Sequence, residues 1–171
     1  MLVKSPILTS ERLVLASFKD EDFSDAMLLF KDPLVKKTYM LPDLDDKEKE
    51  EAFFKRIQKV TSSEEHYSYG VFLDGKAIGL INDVTIEGEE IEVGYCFASP
   101  YWGKGYATEA FKTLIEELFR VGFKIIQAAH FNENPASGRV MVKCGLSKIS
   151  KTEEIEYRGA VHSCTYYEIR K

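Results

Sequence analysis

The clearest hydrophobic pattern in the chain lies directly after a glycine-rich turn. Its apolar positions recur at the i, i+3, i+4, i+7 spacing that places side chains on one face of a helix. These positions are Ala107, Ala110, Phe111, Leu114, Ile115, Leu118 and Phe119. Gly122 comes soon afterwards and is a helix stop signal. The pattern predicts a long amphipathic helix that ends at Gly122 and buries this face.

Three shorter helices are predicted elsewhere. Asp20 is the predicted cap of the first, which has apolar residues on one face and ends near Asp32-Pro33. The second covers residues 46–60, and the third covers residues 136–144 and stops at Gly145.

Strands are predicted both before and after the long helix. Residues 67–73 and 76–84 are joined by Asp74-Gly75, a dipeptide that tolerates the positive φ angles of a two-residue hairpin. Glu87-Gly88 marks another turn, after which residues 89–98 form the strand that leads into the glycine-rich turn. These three strands are expected to form a meander.

The chain returns to the sheet after the long helix. Residues 124–131 are predicted to form a strand, and a crossover of this kind makes the two strands that it joins parallel. Residues 146–150 and 161–169 are predicted to pair around Arg158-Gly159. The predicted fold class is therefore α/β: a mixed sheet with helices on both faces and one ligand crevice.

Composition limits the partners that the chain can have. A chain of 171 residues with 44% hydrophobic residues suits a single domain over residues 1–171. The chain has 23 Lys and Arg and 28 Asp and Glu, which gives a net charge of -5. A chain with this charge has no overall positive field that would attract nucleic acid. We see no signal peptide and no apolar run of about 18 residues, and we expect a cytoplasmic protein with no membrane partner. The three cysteines lack a Cys-x-x-Cys spacing, so we expect no disulfide framework and no metal site.

The glycine-rich turn suggests an anion site. The first N–H groups of a helix lack internal partners, and Gly103 and Gly105 allow the backbone to curl so that these groups converge on a phosphate, with Lys104 adding positive charge. A Walker A loop would need Ser or Thr where Gly105 stands, and a dinucleotide fingerprint would need a third glycine where Thr108 stands. A tight turn that binds nothing is the other interpretation.

Within the run of residues 102–110, Trp102 to Ala107 resemble the acyl-CoA-binding signature of the GNAT acetyltransferases, Gln/Arg-x-x-Gly-x-Gly/Ala. Gly105 and Ala107 take its small positions, while Trp102 replaces the usual Gln or Arg. The run is similar to the branch that includes the ribosomal-protein N-terminal acetyltransferases. A second segment, Asn134-Pro135-Ala136-Ser137 followed by Lys143-Cys144-Gly145-Leu146, resembles that branch's Asn-x-x-Ser … Glu-Lys-Leu-Gly-Phe element, and residues 9–15 resemble the family's opening strand.

This resemblance implies a GNAT-like sheet, mixed and mostly antiparallel, with a splayed parallel strand pair whose backbone holds the pantetheine arm. It also implies acetyl-CoA as the co-substrate and no metal. The implied cofactor-binding residues are Phe97, Ala98, Trp102, Gly103, Lys104, Gly105, Tyr106, Ala107, Thr108, Asn134 and Ser137.

The resemblance further implies that an amine attacks the thioester directly and must first lose a proton. Glu92 is our candidate base, although it could belong to a solvated strand face, and His130 is a second candidate that could be structural. Met141 stands where many family members have a tyrosine, so Ser137 is the candidate that contacts the sulfur and Asn134 the one that contacts the pantetheine amide. Both could instead be helix caps.

The acceptor site is expected near residues 39–42, beside the acidic run 43–51. That acidity either favours a cationic amine or simply belongs to a solvated helix start. The leading hypothesis is an N-acetyltransferase acting on a primary amine, either a protein N-terminus or a small polyamine-like or amino-sugar molecule. A non-catalytic acyl-CoA-binding module or sensor is the alternative, and a nucleotide-dependent regulator is disfavoured. The sequence leaves open whether the protein is a homodimer.

Overall fold

The computed structural model describes residues 2–171, which form one sheet flanked by helices. The strands are β1 (Leu8–Thr9), β2 (Leu13–Ala16), β3 (Tyr69–Leu73), β4 (Lys76–Glu87), β5 (Glu90–Phe97), β6 (Ile125–Phe131), β7 (Ser147–Tyr157) and β8 (Ala160–Arg170). The helices are α1 (Phe23–Phe30), α2 (Lys47–Ser62), α3 (Tyr106–Val121) and α4 (Pro135–Lys143). Short 3-10 turns cover Asp20–Asp22, Val35–Lys37 and Ser99–Tyr101.

The strand order is β1-β2-β3-β4-β5-β6-β8-β7, and every neighbouring pair is antiparallel except β5 and β6. Helices cover both faces of the sheet, and the side chains of β5 point alternately into the two cores that these helices form with it. Ile91 and Val93 pack in the cluster that contains α3, whereas Cys96 packs with the aromatic residues of α1 and α2. The predicted fold class, a mixed and mostly antiparallel sheet with helices on both faces, is confirmed.

The parallel strands β5 and β6 separate halfway along their length. Their pairing begins at Glu90 and Ile125 and ends at Val93 and Ala128. Beyond that point β5 stays paired with β4 as far as Phe97, and β6 stays paired with β8 to its end. Each strand thus has a free inner edge facing the other, which is the splayed pair that the resemblance implied.

Most helix ends lie where the sequence predicted them. Gly122, the predicted stop of α3, has a φ of 119° that disfavours any residue with a Cβ. Asp46 caps α2 and accepts a hydrogen bond from the Lys49 N–H at 2.9 Å. The predicted cap Asp20 was wrong: it opens a 3-10 turn before α1, and its carboxylate accepts a hydrogen bond from Gln58.

The final hairpin is longer than predicted. β7 runs on to Tyr157 and not only to residue 150, and the turn at Arg158 and Gly159 has φ angles of 51° and 75°. Residues 150–154 are exposed and polar, so the alternation that marks a half-buried strand is missing there. No helix within residues 2–171 is both long enough and apolar enough to cross a membrane.

Candidate active site

The glycine-rich turn leaves the start of α3 without internal partners. Gly103 and Gly105 have φ angles of 73° and 82°, which only glycine adopts readily. Gly105 precedes the first helical residue, no side chain caps this end, and the first bond that closes the helix runs from the Glu109 N–H to the Gly105 carbonyl at 3.0 Å. The N–H groups of residues 103–108 donate to no atom of residues 2–171. Unpaired helical N–H groups of this kind bind anions.

A cavity of about 380 Å3 opens beside this turn and runs into the gap between β5 and β6. Nine of the eleven predicted cofactor-binding residues line it: Phe97, Trp102, Gly103, Gly105, Tyr106, Ala107, Thr108, Asn134 and Ser137. Ala98 and Lys104 do not. The Lys104 ammonium donates to the Pro100 carbonyl at 3.1 Å, outside the cavity. We call this space the donor cleft.

Ala98 has no free backbone group for a ligand. Its N–H donates to the Ile78 carbonyl at 2.9 Å, and its carbonyl accepts from the Tyr101 N–H at 3.0 Å. Backbone groups alternate in direction along a strand, so Tyr95 and Phe97 are the residues whose groups face the gap. The Phe97 carbonyl already accepts a hydrogen bond from the Trp102 indole at 2.6 Å.

Ser137 and Tyr95 form a polar contact between α4 and β5. The Ser137 hydroxyl donates to the Tyr95 hydroxyl at 2.9 Å, and the Tyr95 hydroxyl donates to the Ser137 carbonyl at 3.0 Å. Burial raises the pKa of the Tyr95 hydroxyl, and this effect is larger than the lowering of the pKa by the hydrogen bond with Ser137. Sequence reasoning did not single out Tyr95. Its only signal was its place on the strand that leads into the glycine-rich turn.

The two polar residues at the start of α4 are not helix caps. Asn134 precedes the first helical residue, but its side chain makes no capping bond, and the Ser137 hydroxyl points to Tyr95. Both side chains line the donor cleft. Met141, which stands at the expected tyrosine position, is 1% exposed and packs in the α3 cluster.

His130 is held in a fixed orientation beside α4. Its Nδ1 lies 2.7 Å from the Phe131 carbonyl, and because a carbonyl only accepts, Nδ1 carries the hydrogen. Nε2 is buried with no partner among the described residues. A Cβ at Gly138 would lie 2.6 Å from this nitrogen, so the ring packs against the backbone of α4. The free nitrogen therefore faces a helix and not open solvent.

A second cavity of about 680 Å3 lies on the α2 side of the sheet. It shares five lining residues with the donor cleft, which are Thr38, Tyr39, Gly94, Ala129 and His130. The two cavities therefore meet where β5 and β6 separate. We call this second space the acceptor cavity.

Glu92 lies on the wall of the acceptor cavity, two residues before the shared Gly94. It is half-buried, and its carboxylate has no hydrogen bond within residues 2–171. Burial raises its pKa most, and Glu153 and Glu90 add to the rise while Lys151 opposes it. A half-buried carboxylate with a raised pKa and no partner is suited to accept a proton.

Other carboxylates also line the acceptor cavity, but they are engaged. Asp83 accepts from the Ser68 hydroxyl at 2.7 Å and lies 2.8 Å from His66 Nδ1. Glu153 accepts a hydrogen bond from the Tyr166 hydroxyl. Three carboxylates and one arginine, Arg56, line the cavity, so negative charge predominates, and Glu92 is the carboxylate in it without such a bond in the described part of the chain.

The acidic run 43–51 does not supply this acidity. Asp45 bonds Lys49 at 2.6 Å, and Asp46 caps α2, as a helix start requires. None of the residues 43–51 lines the acceptor cavity, whereas residues 39–42 all do. The run is a solvated helix start, and the cavity's carboxylates come from β4, β5 and β7.

The tip of the β7-β8 hairpin holds residues 36–43 in place. The Tyr157 hydroxyl lies 2.7 Å from the Lys36 carbonyl and 3.1 Å from the Tyr39 carbonyl, and it accepts from the Leu41 N–H at 3.3 Å. Arg158 donates to the Leu41 carbonyl and to Asp43. Sequence reasoning missed this contact, because its members are more than 110 positions apart in the chain.

Comparison with known proteins places the chain among acetyltransferases. The model of the acetyltransferase (GNAT) domain family matches residues 12–147. An uncharacterized N-acetyltransferase of Bacillus subtilis, YoaA, is 25% identical over 97% of each chain. A GNAT-family acetyltransferase from Bacillus anthracis has a similar structure, with a TM-score of 0.81, 24% identity and coverage of 96% of this chain and 98% of that one.

A ribosomal L7/L12 α-N-protein acetyltransferase, RimL, solved in complex with coenzyme A, also has this fold. The TM-score is 0.83 at 17% identity, over 96% of this chain and 97% of that one. Residues 2–171 contain no group of three His, Cys, Asp or Glu side chains placed to hold a metal ion.

Proposed function

The chain belongs to the GNAT acetyltransferase family, and we propose that it transfers the acetyl group of acetyl-CoA directly to a primary amine held in the acceptor cavity. One observation carries the proposal. The donor cleft and the acceptor cavity meet where β5 and β6 separate, so two reactants can be bound at once and in contact. Holding two reactants in line is the main catalytic requirement of a direct transfer.

The glycine-rich turn binds the pyrophosphate of the donor. Its unpaired N–H groups at the start of α3 are the donors that such a group needs, and the helix dipole adds to the attraction. The pantetheine arm lies in the gap, where the backbone of Tyr95 and Phe97 and the side chain of Asn134 provide hydrogen-bonding groups. The Phe97 carbonyl already accepts a hydrogen bond from the Trp102 indole, and this bond holds Trp102 in place as a wall of the cleft.

Bound acetyl-CoA supplies an activated thioester. The acceptor ammonium first loses one proton, and the resulting neutral amine attacks the carbonyl carbon of the thioester. The C–N bond forms, the C–S bond breaks, and the nitrogen loses a second proton while the departing sulfur gains one. Glu92 takes the first proton from the ammonium through water, because two residues of strand, about 7 Å, separate it from Gly94 at the junction of the cavities. Its raised pKa brings it closer to the pH at which a base works best.

Ser137 contacts the departing sulfur. Its hydroxyl lines the donor cleft and can rotate from Tyr95 toward the sulfur, whose negative charge makes it the stronger acceptor. Tyr95 holds α4 against β5 through the Ser137 carbonyl and so positions the hydroxyl. His130 contributes a buried, oriented ring at the junction, which supports a role in shaping the site more than a role as the base.

The acceptor is a primary amine that enters as a cation. The carboxylates on β4, β5 and β7 favour a positive group in the acceptor cavity. A protein N-terminus is one form of the acceptor, by analogy with the α-N-protein acetyltransferase of the same fold. A small polyamine or amino sugar is the other.

The test is detection of free thiol from acetyl-CoA over a panel of peptides, polyamines and amino sugars. We expect thiol release with at least one acceptor, at a rate that depends on both substrates. Calorimetry with CoA alone separates the rival function. CoA binding without turnover of any acceptor would support a non-catalytic binding module, and failure to bind CoA would overturn the proposal.

A further inference from the structure

Arg12, in the turn between β1 and β2, holds the glycine-rich turn from outside the donor cleft. Its Nη1 donates to the Lys104 carbonyl at 3.0 Å. Its Nε and its backbone N–H each donate to Glu109 at 2.7 Å, and the guanidinium lies 4.5 Å from the centre of the Tyr106 ring. Arg12 does not line the donor cleft. It contacts the turn on the other side.

The bond to the Lys104 carbonyl fixes the direction of a neighbouring N–H. In a trans peptide the carbonyl and the N–H point in opposite directions. The Lys104 carbonyl points to Arg12, so the Gly105 N–H points away from Arg12, and it has no partner in residues 2–171. Gly105 itself lines the donor cleft. This N–H is therefore aimed at the space where an anion would bind.

Without Arg12 this peptide has little to hold it. Gly103 and Gly105 flank Lys104, and glycine allows a peptide plane to turn over at small steric cost. A reversed peptide would present the Lys104 carbonyl oxygen to the anion in place of an N–H, which exchanges attraction for repulsion. A fixed peptide therefore matters more for binding than for the stability of the fold.

We propose that Arg12 is a positioning residue for the donor, because its bond to the Lys104 carbonyl holds the Gly105 N–H toward the pyrophosphate of acetyl-CoA. The inference rests on the proposed function, since it takes the donor cleft as the acetyl-CoA site. Glu109 completes the arrangement. It neutralises Arg12 and orients the guanidinium, and it also accepts from the Ser10 hydroxyl at 2.7 Å.

A matched arrangement at the other end of α3 provides the control. Arg120 donates to both oxygens of Glu117 at 2.7 Å and to the Val3 carbonyl at 3.0 Å, and Glu117 accepts from the Ser5 N–H at 2.6 Å. The two arginine side chains are 41% and 45% exposed. Only Arg12 contacts the glycine-rich turn, so only its loss should affect the donor.

The experiment compares Arg12→Ala, Arg12→Lys and Arg120→Ala with the unaltered protein. Calorimetry measures the Kd for CoA, and an NMR titration measures the Kd for pantetheine, which lacks the pyrophosphate. We expect both Arg12 variants to bind CoA roughly 10- to 100-fold more weakly, the range set by losing one charged hydrogen bond. Pantetheine binding should change less than about twofold in any variant, and Arg120→Ala should bind both ligands normally.

Arg12→Lys separates geometry from charge, because lysine keeps the charge but not the planar fork. CoA binding by this variant equal to that of the unaltered protein would overturn the inference. Equal weakening of CoA and pantetheine would also overturn it, since that would indicate general distortion. Failure of the unaltered protein to bind CoA would instead overturn the proposed function, and with it the inference. Thermal unfolding of each variant controls for loss of the fold.

Discussion

Glu109 beside the donor cleft and Glu92 in the acceptor cavity are two carboxylates in opposite situations. Burial acts to raise the pKa of Glu109, but bonds from Ser10 and Arg12 outweigh it, and the pKa is lowered. Burial raises the pKa of Glu92, and no hydrogen bond opposes it. The donor side thus uses its carboxylate to fix the structure. The acceptor side leaves its carboxylate without a hydrogen-bond partner among the described residues.

The two sides also differ in what forms their walls. The donor cleft presents backbone N–H groups from one turn, residues 103–108, because its ligand has a constant pyrophosphate that such groups recognise. The acceptor cavity is lined by residues from all five strands β4 to β8, from α2, from residues 38–42 and by His66. A surface made of side chains can change with the acceptor while the donor side stays the same.

Replacing the free carboxylate should give the largest effect. We expect Glu92→Gln to lower kcat by about 10²- to 10⁴-fold, the usual contribution of a general base. The Kd for CoA should not change, because Glu92 does not line the donor cleft. Thiol release and calorimetry measure the two quantities.

Glu90→Gln is the matched control for this change. Glu90 lies two residues earlier on the same face of β5 and lines neither cavity, so the kcat of the Glu90→Gln variant should equal that of the unaltered protein. An equal loss of kcat in both variants would mean that Glu92 acts through the general charge of the strand and is not the base.

The second effect should come from the backbone of the donor side. Gly105 has a φ of 82°, and we expect Gly105→Val to bind CoA about 100-fold more weakly through the loss of two N–H contacts to the anion. Gly75→Val is the control, since Gly75 has a φ of 79° in a hairpin turn with no atom within 4 Å of a new Cβ. Both variants should lose about 1–3 kcal/mol of unfolding free energy from backbone strain.

Calorimetry and thermal unfolding separate the two contributions. Gly75→Val should bind CoA like the unaltered protein despite its lower stability. Weaker CoA binding by the hairpin variant as well would show that lost stability, and not the position of the N–H groups, explains the donor defect.

The difference between the two sides also explains what the sequence could predict. The glycine-rich turn, α3 and the Asp74-Gly75 hairpin depend on residues close together in the chain, so their patterns were readable and the fold followed. Lys104 lies in the motif and Ala98 ends the strand before it, but the Lys104 ammonium bonds to Pro100 and the backbone of Ala98 bonds to Ile78 and Tyr101, which the sequence does not reveal. Position in a motif and direction of a side chain are separate properties.

The acceptor side depends on contacts between distant residues. Tyr157 and Arg158 contact residues 36–43 from the tip of the β7-β8 hairpin, which extends past the last pair between β6 and β8. The strand that carries Tyr157 alternates weakly, so even its length was underestimated. The acidic run 43–51 had a strong composition signal but belongs to the start of α2. Composition indicated negative charge at the acceptor site, but the carboxylates that line the cavity do not belong to residues 43–51.

A third and smaller effect should appear at the hairpin tip. Tyr157→Phe removes a hydroxyl that contacts Lys36, Tyr39 and Leu41, and Tyr39 lines both cavities. We expect the KM for the acceptor to rise about 3- to 10-fold, as for the loss of one hydrogen bond, with an unchanged Kd for CoA. Initial rates at varied acceptor concentration measure the KM.

Tyr67→Phe is the corresponding control. Its ring packs against Phe123 away from both cavities, and its hydroxyl has no hydrogen bond to any residue of the described chain. A normal acceptor KM in Tyr157→Phe would show that the hairpin tip does not order the acceptor wall.

The smallest effect is in stability, and it should have opposite signs at the two carboxylates. Glu109 has a lowered pKa, so its contribution is fully present above the ordinary value of 4.5 and is lost as the pH falls through the lowered pKa. Glu92 has a raised pKa, so the folded state loses stability as the pH rises from the ordinary value of 4.5 to that raised pKa, and the loss is complete above it. At neutral pH we therefore expect Glu109→Gln to lower Tm by about 2–4 °C and Glu92→Gln to raise it by no more than about 2 °C.

Thermal unfolding scans from pH 7 to pH 3 should show both differences in Tm shrinking toward zero, because protonated carboxylic acids resemble the amides that replace them. A Tm for Glu92→Gln below that of the unaltered protein at neutral pH would show that Glu92 has a stabilising partner, and the contrast between the two sides would not hold.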